Sequence, residues 1–360
     1  MVTGEVQALA LAQYARQQAA AIRAAARVRE LWESIDHRKI SPSWQRVAPL
    51  LVAAVAEAQR EAAALADPYL SAVVEAQDAD PTSAGRVNPG AFAGIASDGR
   101  PLLSLLYQPV IDWKVRLLAG QSPEDAFRGS LASALRITST QVADAGRGAT
   151  QAGMAGRRTI QGYVRVVQPP ACARCVILAG KEYGWNKGFQ RHPRCDCIHL
   201  PTTLIARNQH GRVGGDAFTP TTRPGQSAAG FLDPRAYFNS LSAAEQRRVF
   251  GEAGARAVRE GADLGQVVNA RRGMTTMTAY GRTVQATREG TTRRGAFYRA
   301  ERARTEARTG TRFARDRIEA RQGLPRFELR TPRLMPEEIF RLAESRDEAL
   351  AMLRRFGYLT

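Results

Sequence analysis

The chain has 360 residues, 44% of them hydrophobic, which is enough for two or three domains with apolar cores. No stretch approaches the roughly 20 apolar residues of a membrane-spanning helix, and no basic segment and hydrophobic block follow Met1 as in a signal peptide. We therefore expect a protein made in the cytoplasm and not inserted in a membrane. Its net charge of +18 attracts polyanions, of which nucleic acid is the commonest.

The first third of the chain has helical patterning. Residues 1–80 are rich in alanine, almost free of glycine and carry apolar residues at helical spacing, which predicts a helical N-terminal arm or bundle. Residues 78–100 contain many turn-forming pairs and predict a loop. Helical spacing returns over 102–118, and Ser122, followed by proline and two acidic residues, marks the start of a further helix.

A glycine-rich stretch, 146–156, predicts a hinge after that helix, and alternation over 162–167 predicts a strand. We predict a mainly α fold with a small α+β middle domain and a basic helical C-terminal part. The predicted divisions are a helical N-terminal part over 1–80, a core with a cysteine loop over 100–205, a flexible linker over 206–235, a helical segment over 236–275, an arginine-rich segment over 276–330 and C-terminal helices over 331–360.

All four cysteines lie within 26 residues, in the order C-x2-C, nineteen residues, C-x-C. Zinc prefers four thiolate or imidazole ligands in a tetrahedron, and a C-x2-C pair can reach one ion from a tight turn. The candidate ligands are Cys172, Cys175, Cys195 and Cys197, with His192 as a replacement for one of the last pair. Because four-cysteine ligation leaves no position open for water, we expect a structural zinc that stabilises a segment with little apolar content.

Three other states of the cysteines stay open. The thiols could be reduced and without metal, or could form two disulfides, which need an oxidising compartment. A thioredoxin-like redox pair is the third, but that motif belongs where a strand leads into a helix of a βαβ unit. Here the C-x2-C pair follows Pro169 and Pro170, which does not match that setting.

Residues 271–330 contain sixteen arginines and six acidic residues, so this sixth of the chain carries a charge of 16 − 6 = +10. We interpret the segment as a surface that contacts DNA phosphates without reading base sequence. The alternative is a solvated, partly disordered charged region. The candidate nucleic-acid contacts are Arg293, Arg294, Arg299, Arg302, Arg304, Arg308, Arg312 and Arg315.

Several runs of residues resemble the MuF-like minor capsid proteins of actinobacterial tailed phages and prophages, which belong to the phage head morphogenesis group. The cysteine block is the specific part of this resemblance, which extends from about residue 120 to the end of the chain. The runs are Gly162–Arg165, Pro169–Gly180, Trp185–Cys197, Tyr237–Gln246, Gly261–Met274 and Arg333–Phe340.

The resemblance implies a low-copy structural protein, not an enzyme, that lies inside the phage head in several copies around the portal. The implied partners are the portal protein, the major capsid or scaffold protein and packaged double-stranded DNA, with no membrane partner. The alternative function is a zinc-dependent hydrolase, a capsid maturation protease or nuclease, that uses His192 or His199 with Asp196. A host DNA-binding regulator with a zinc module is a third possibility.

Overall fold

The computed structural model describes residues 4–186, 197–203, 232–279, 281–293 and 295–359. The chain divides into two units: the first comprises Met1–Ala171 and Leu178–Leu232, the second Cys172–Ile177 and Asp233–Thr360. The described part is mostly helical, with two three-stranded antiparallel sheets. None of its helices is both long enough and apolar enough to cross a membrane.

Two predicted segments fall largely outside this part of the chain. Residues 187–196, which form most of the predicted zinc loop, lie outside the described residues, as do residues 206–231 of the predicted linker.

The first unit combines a set of helices with one small sheet, which confirms the predicted helical N-terminal part. Its helices are α1 (Gly4–Glu33), α2 (Ile40–Ala64), α3 (Ala66–Glu75), α4 (Leu102–Leu106), α5 (Gln108–Leu118) and α6 (Pro123–Ala155), with a 3-10 turn at Pro89–Phe92. Its strands are β1 (Gly162–Val167), β2 (Glu182–Gly184) and β3 (Cys197–Thr202).

The long helices α1, α2 and α6 pack against each other through small and aromatic residues. Alanines of all three helices are buried in one core, so the helix backbones approach closely. Two tryptophans belong to the same core: the rings of Trp32 and Trp113 lie 6.4 Å apart, and Trp32 Nε1 donates to Ser130 Oγ at 3.2 Å. The predicted start of α6 is confirmed, since the Ser122 side chain accepts the N–H of Asp125.

The hinge predicted over 146–156 is wrong, because α6 continues without a break to Ala155. Its glycines lie where neighbouring side chains come close. A Cβ on Gly146 would lie 2.6 Å from Gln17 Nε2, and one on Gly153 would lie 2.5 Å from Leu70 Cδ1. These glycines therefore serve close packing of α6 and do not provide flexibility.

The first sheet has the order β2-β1-β3, and both pairings are antiparallel. One face of β1 and β3 is apolar and packs against α1 and α3. Its residues Val164, Val166, Ile198 and Leu200 share a core with Val6, Ala10, Tyr69 and Val73. This pairing confirms the strand predicted over 162–167 and leaves a second, chemically different face.

The second unit consists of short helices around a second sheet of order β4-β5-β6. Its strands are β4 (Met274–Ala279), β5 (Arg282–Thr287) and β6 (Arg333–Leu334). Its helices are α7 (Ala173–Val176), α8 (Pro234–Ser240), α9 (Ala243–Phe250), α10 (Glu252–Arg259), α11 (Leu264–Arg272), α12 (Ala296–Thr309), α13 (Arg317–Arg321), α14 (Pro336–Leu342) and α15 (Arg346–Arg355). The sequence had predicted no strands here.

A buried arginine joins the C-terminal elements of this unit. Arg333 is 2% exposed, and its Nε donates to the carbonyl oxygen of Phe356 at 2.8 Å. Its Nη1 donates to the carbonyl oxygen of Glu289 and its Nη2 to Gln266 Oε1, each at 3.0 Å. The guanidinium also lies 4.5 Å from the centre of the Tyr358 ring. One side chain therefore links β6 to the end of the chain.

Candidate metal centre and basic surface

The C-x2-C pair forms the start of the short helix α7. Cys172 occupies the N-cap position, and its Sγ accepts the N–H of Cys175 at 3.4 Å, as a serine or aspartate oxygen would. Cys175 is buried and Cys172 is partly exposed. Because β1 is antiparallel to both of its neighbours, this part of the chain lacks the βαβ arrangement that a thioredoxin-like pair requires.

Contacts within the second unit fix this turn. Ala173 and Ile177 pack against the core of that unit, and Arg174 Nη1 donates to Asn269 Oδ1 of α11 at 2.9 Å. The side chains that flank the two cysteines are thus held by apolar packing and by one charge-assisted hydrogen bond.

The second face of the first sheet is polar, and we call Tyr163, Arg165, Cys197 and His199 the polar face. Side chains alternate along a strand, and register partners share a face, so Cys197 and His199 lie on the same side as Arg165. Arg165 and His199 are direct register partners and are 1% and 6% exposed. The rings of Tyr163 and His199 meet edge to face at 4.3 Å. A thiol and an imidazole therefore lie on one buried face, two residues apart.

Two helices hold the backbone of β3 behind these side chains. Arg147 of α6 donates from Nε to the carbonyl oxygen of Cys197 at 2.7 Å and from Nη1 to Asp144 at 2.9 Å. Tyr69 of α3 donates its hydroxyl to the carbonyl oxygen of His199 at 2.8 Å. Burial raises the pKa of Tyr69 far above its usual value, so the hydroxyl keeps its proton. The polar face thus has a fixed backbone.

Sequence reasoning placed His199 only in the hydrolase alternative and missed Arg147 and Arg165. The signal for Arg147 was present, because Asp144 and Arg147 are three residues apart on a helix. The signal for Arg165 was its position between valines in a predicted strand. A charged residue on a buried face of a strand needs hydrogen-bonding or charged partners.

The structure leaves the predicted zinc site undecided. His192 and Cys195 lie outside the described residues. Cys172 and Cys175 belong to the second unit and Cys197 to the first. Within the described residues, no group of three or more cysteine, histidine or acidic side chains is placed to hold a metal ion. With two of the five candidate ligands missing from that set, zinc binding stays a prediction.

The arginines of the predicted DNA surface fall into two groups. Three are in ion pairs within the second unit: Arg302 with Glu306, Arg304 with Glu301, and Arg312 with Glu319. The others that the structure describes are exposed and have no ion pair with a described residue, namely Arg293, Arg299, Arg308 and Arg315. Arg294 lies outside the described residues.

The chain matches no protein-family model, no curated protein and no solved structure.

Proposed function

We propose that this chain is a minor structural protein of a tailed-phage head that acts in procapsid and portal assembly and contacts packaged DNA. The observation that carries the proposal is the cysteine block, with its C-x2-C and C-x-C pairs inside the run that resembles MuF-like proteins. The net charge of +18 supports a polyanionic partner inside the head. Several copies would surround the portal and contact the portal protein and the major capsid or scaffold protein.

Zinc has a structural role in this proposal. Cys172, Cys175, Cys195 and Cys197 would bind it, with His192 as the alternative fourth ligand. Two observations support the donor set: Cys172 and Cys175 lie in one fixed turn, and the backbone of Cys197 is held by Arg147. Ligation of the block would contribute binding free energy to folding, as structural zinc does in small domains.

The zinc content of the purified chain tests this ligand set. We expect about one zinc per chain by elemental mass spectrometry. Cys172→Ser should lose the metal and lower the melting temperature, because three thiolates bind zinc more weakly than four. Comparing Cys195→Ser, Cys197→Ser and His192→Ala identifies which two of these three residues are ligands, since only a variant that removes a ligand should lose zinc. Zinc-free wild-type protein, or a Cys172→Ser variant with unchanged zinc and melting temperature, would refute the site.

Quantitative mass spectrometry of purified particles tests the head function itself. A minor structural protein should be found in both procapsids and DNA-filled virions, at a few to a few tens of copies per portal. Detection in procapsids alone would define an assembly factor that leaves or is cleaved. Absence from both particles would overturn the proposal, whatever the zinc content.

A further inference from the structure

The segment that follows α12 is a loop whose two ends are held together. Ala314 N–H donates to the carbonyl oxygen of Pro325 at 2.9 Å. The ring of Phe327 packs edge to face against Phe313 at 5.4 Å and against Tyr298 at 5.1 Å. The Tyr298 hydroxyl donates to the carbonyl oxygen of Phe327 at 2.7 Å. Residues 313–327, called the basic loop below, therefore start and end at one aromatic cluster.

The two acidic residues of the basic loop stabilise its own structure. Asp316 Oδ1 accepts the backbone N–H groups of Ile318 and Glu319, at 2.8 and 2.9 Å, and so caps α13. Glu319 accepts from the Arg315 backbone N–H at 2.6 Å and from Arg312 Nη2 at 3.1 Å. Asp316 is thus occupied by backbone N–H groups, and Glu319 by a backbone N–H group and by Arg312, which lies just outside the loop.

The four arginines of the basic loop are left facing solvent. They are exposed, and none of them forms an ion pair with a described residue; they are Arg315, Arg317, Arg321 and Arg326. In α12, Arg302 and Arg304 are paired with glutamates of the same helix, whereas Arg299 and Arg308 are exposed and have no ion pair with a described residue. Over residues 313–327, four arginines and two acidic residues give 4 − 2 = +2. The loop therefore presents four unpaired cations on one short segment, in addition to Arg293, Arg299 and Arg308, which are also exposed and have no ion pair with a described residue.

We infer that the basic loop is a surface through which this chain contacts the phosphates of double-stranded DNA. The inference rests on the proposed function, in which packaged DNA is a partner. A guanidinium with no ion pair can bind a phosphate without breaking an existing contact, and its planar donors fit phosphate oxygens. Because the aromatic cluster already holds the loop ends, binding orders less of the chain. The proposed contact surface thus extends beyond the predicted Arg293–Arg315 to residues 315–326.

The test is binding of a fluorescent random-sequence duplex to the full chain, measured by anisotropy over a range of salt concentrations. One variant changes the four loop arginines to glutamine. The control also removes four charges, but from exposed arginines of the first unit that are in ion pairs: Arg23, Arg27, Arg60 and Arg128. A third variant changes the loop arginines to lysine and keeps the charge.

The salt dependence decides the outcome. Each lost phosphate contact reduces the magnitude of the slope of log affinity against log salt by about 0.9. The slope of the loop glutamine variant should therefore be smaller than that of wild type by up to about 3.6. The affinity of the loop glutamine variant should fall roughly tenfold or more. The slope of the control variant should change by less than about 0.9, the value for one phosphate contact. The lysine variant should keep most of the wild-type slope, which separates loss of charge from misfolding.

Three results would overturn the inference. Equal slope changes in the loop variant and the control would show that binding follows net charge alone. Tighter binding of wild type to polyglutamate than to the duplex would identify an acidic protein surface as the partner. If wild type binds no duplex even at low salt, the DNA contact in the proposed function fails as well. Particle mass spectrometry then still tests the structural role separately.

Discussion

Gly153→Ala should destabilise the first unit, although alanine is the better helix former. An alanine gains about 0.5–1 kcal/mol over glycine inside a helix. At this position, however, the new Cβ would lie 2.5 Å from Leu70 Cδ1 and 3.0 Å from Val87 Cγ2. Leu70 is fully buried among other core side chains, so moving it aside disturbs their packing. Overpacking of this kind costs about 1–3 kcal/mol, so we expect a net loss of about 1–2 kcal/mol.

Gly129→Ala is the matched control in the same helix. There the nearest atoms to the new Cβ belong to the end of the Arg116 side chain, at 2.6 Å, which is flexible and can move aside. This variant should be more stable than wild type by about 0.5–1 kcal/mol, the advantage of alanine over glycine inside a helix. Both variants gain the same helix propensity, so the difference between their free energies of unfolding equals the packing cost at Gly153, about 1–3 kcal/mol.

Urea unfolding followed by tryptophan fluorescence is the assay. All four tryptophans belong to the first unit, so their emission reports the unit that contains α6. If α6 packs as described, the midpoint of Gly153→Ala falls and that of Gly129→Ala rises or stays the same. A Gly153→Ala variant as stable as Gly129→Ala would refute close packing and would restore the hinge interpretation of residues 146–156.

Two further predictions concern the second unit, which has no tryptophan; its unfolding is the part of the far-UV circular dichroism change that tryptophan emission does not report. Arg333→Met should cost about 3–5 kcal/mol, because it leaves buried acceptors such as the Phe356 carbonyl oxygen without a donor; a loss below about 1 kcal/mol would contradict this role. Glu338 is buried, which raises its pKa, but hydrogen bonds from Arg341 and the Gln285 N–H outweigh burial and leave its pKa below the usual value. Its stabilising contribution is therefore present at neutral pH and is lost as pH falls through this lowered pKa. Glu338→Gln should make stability less dependent on pH in that acidic range, and an unchanged pH profile would refute the assignment.

Features with local causes were predictable from the sequence. The cap at Ser122 involves a side chain and a backbone group within three residues of each other, and this predicted helix start is confirmed. The strand over 162–167 was recognisable from its alternation. Sequence reasoning failed for the hairpin of β4 and β5. Most of β4 is exposed, so it shows no alternation between apolar and polar residues.

The candidate site shows the same division. Spacing alone indicated the cysteine block, but not that Cys197 and His199 share a buried face with Arg165, since that depends on strand register. Composition indicated a basic segment, but not which arginines already have a carboxylate partner. That depends on contacts such as the one between Arg312 and Glu319.

The sequence by itself determined where helices begin, how the cysteines are spaced and where positive charge accumulates. These properties follow from neighbouring residues or from composition. Only the tertiary structure decided whether the glycines of α6 bend or pack, and which charged side chains are exposed. A glycine permits both roles, and its neighbours in space, such as Leu70 beside Gly153, select one. In the same way, an arginine is available to a partner only where folding has placed no carboxylate beside it.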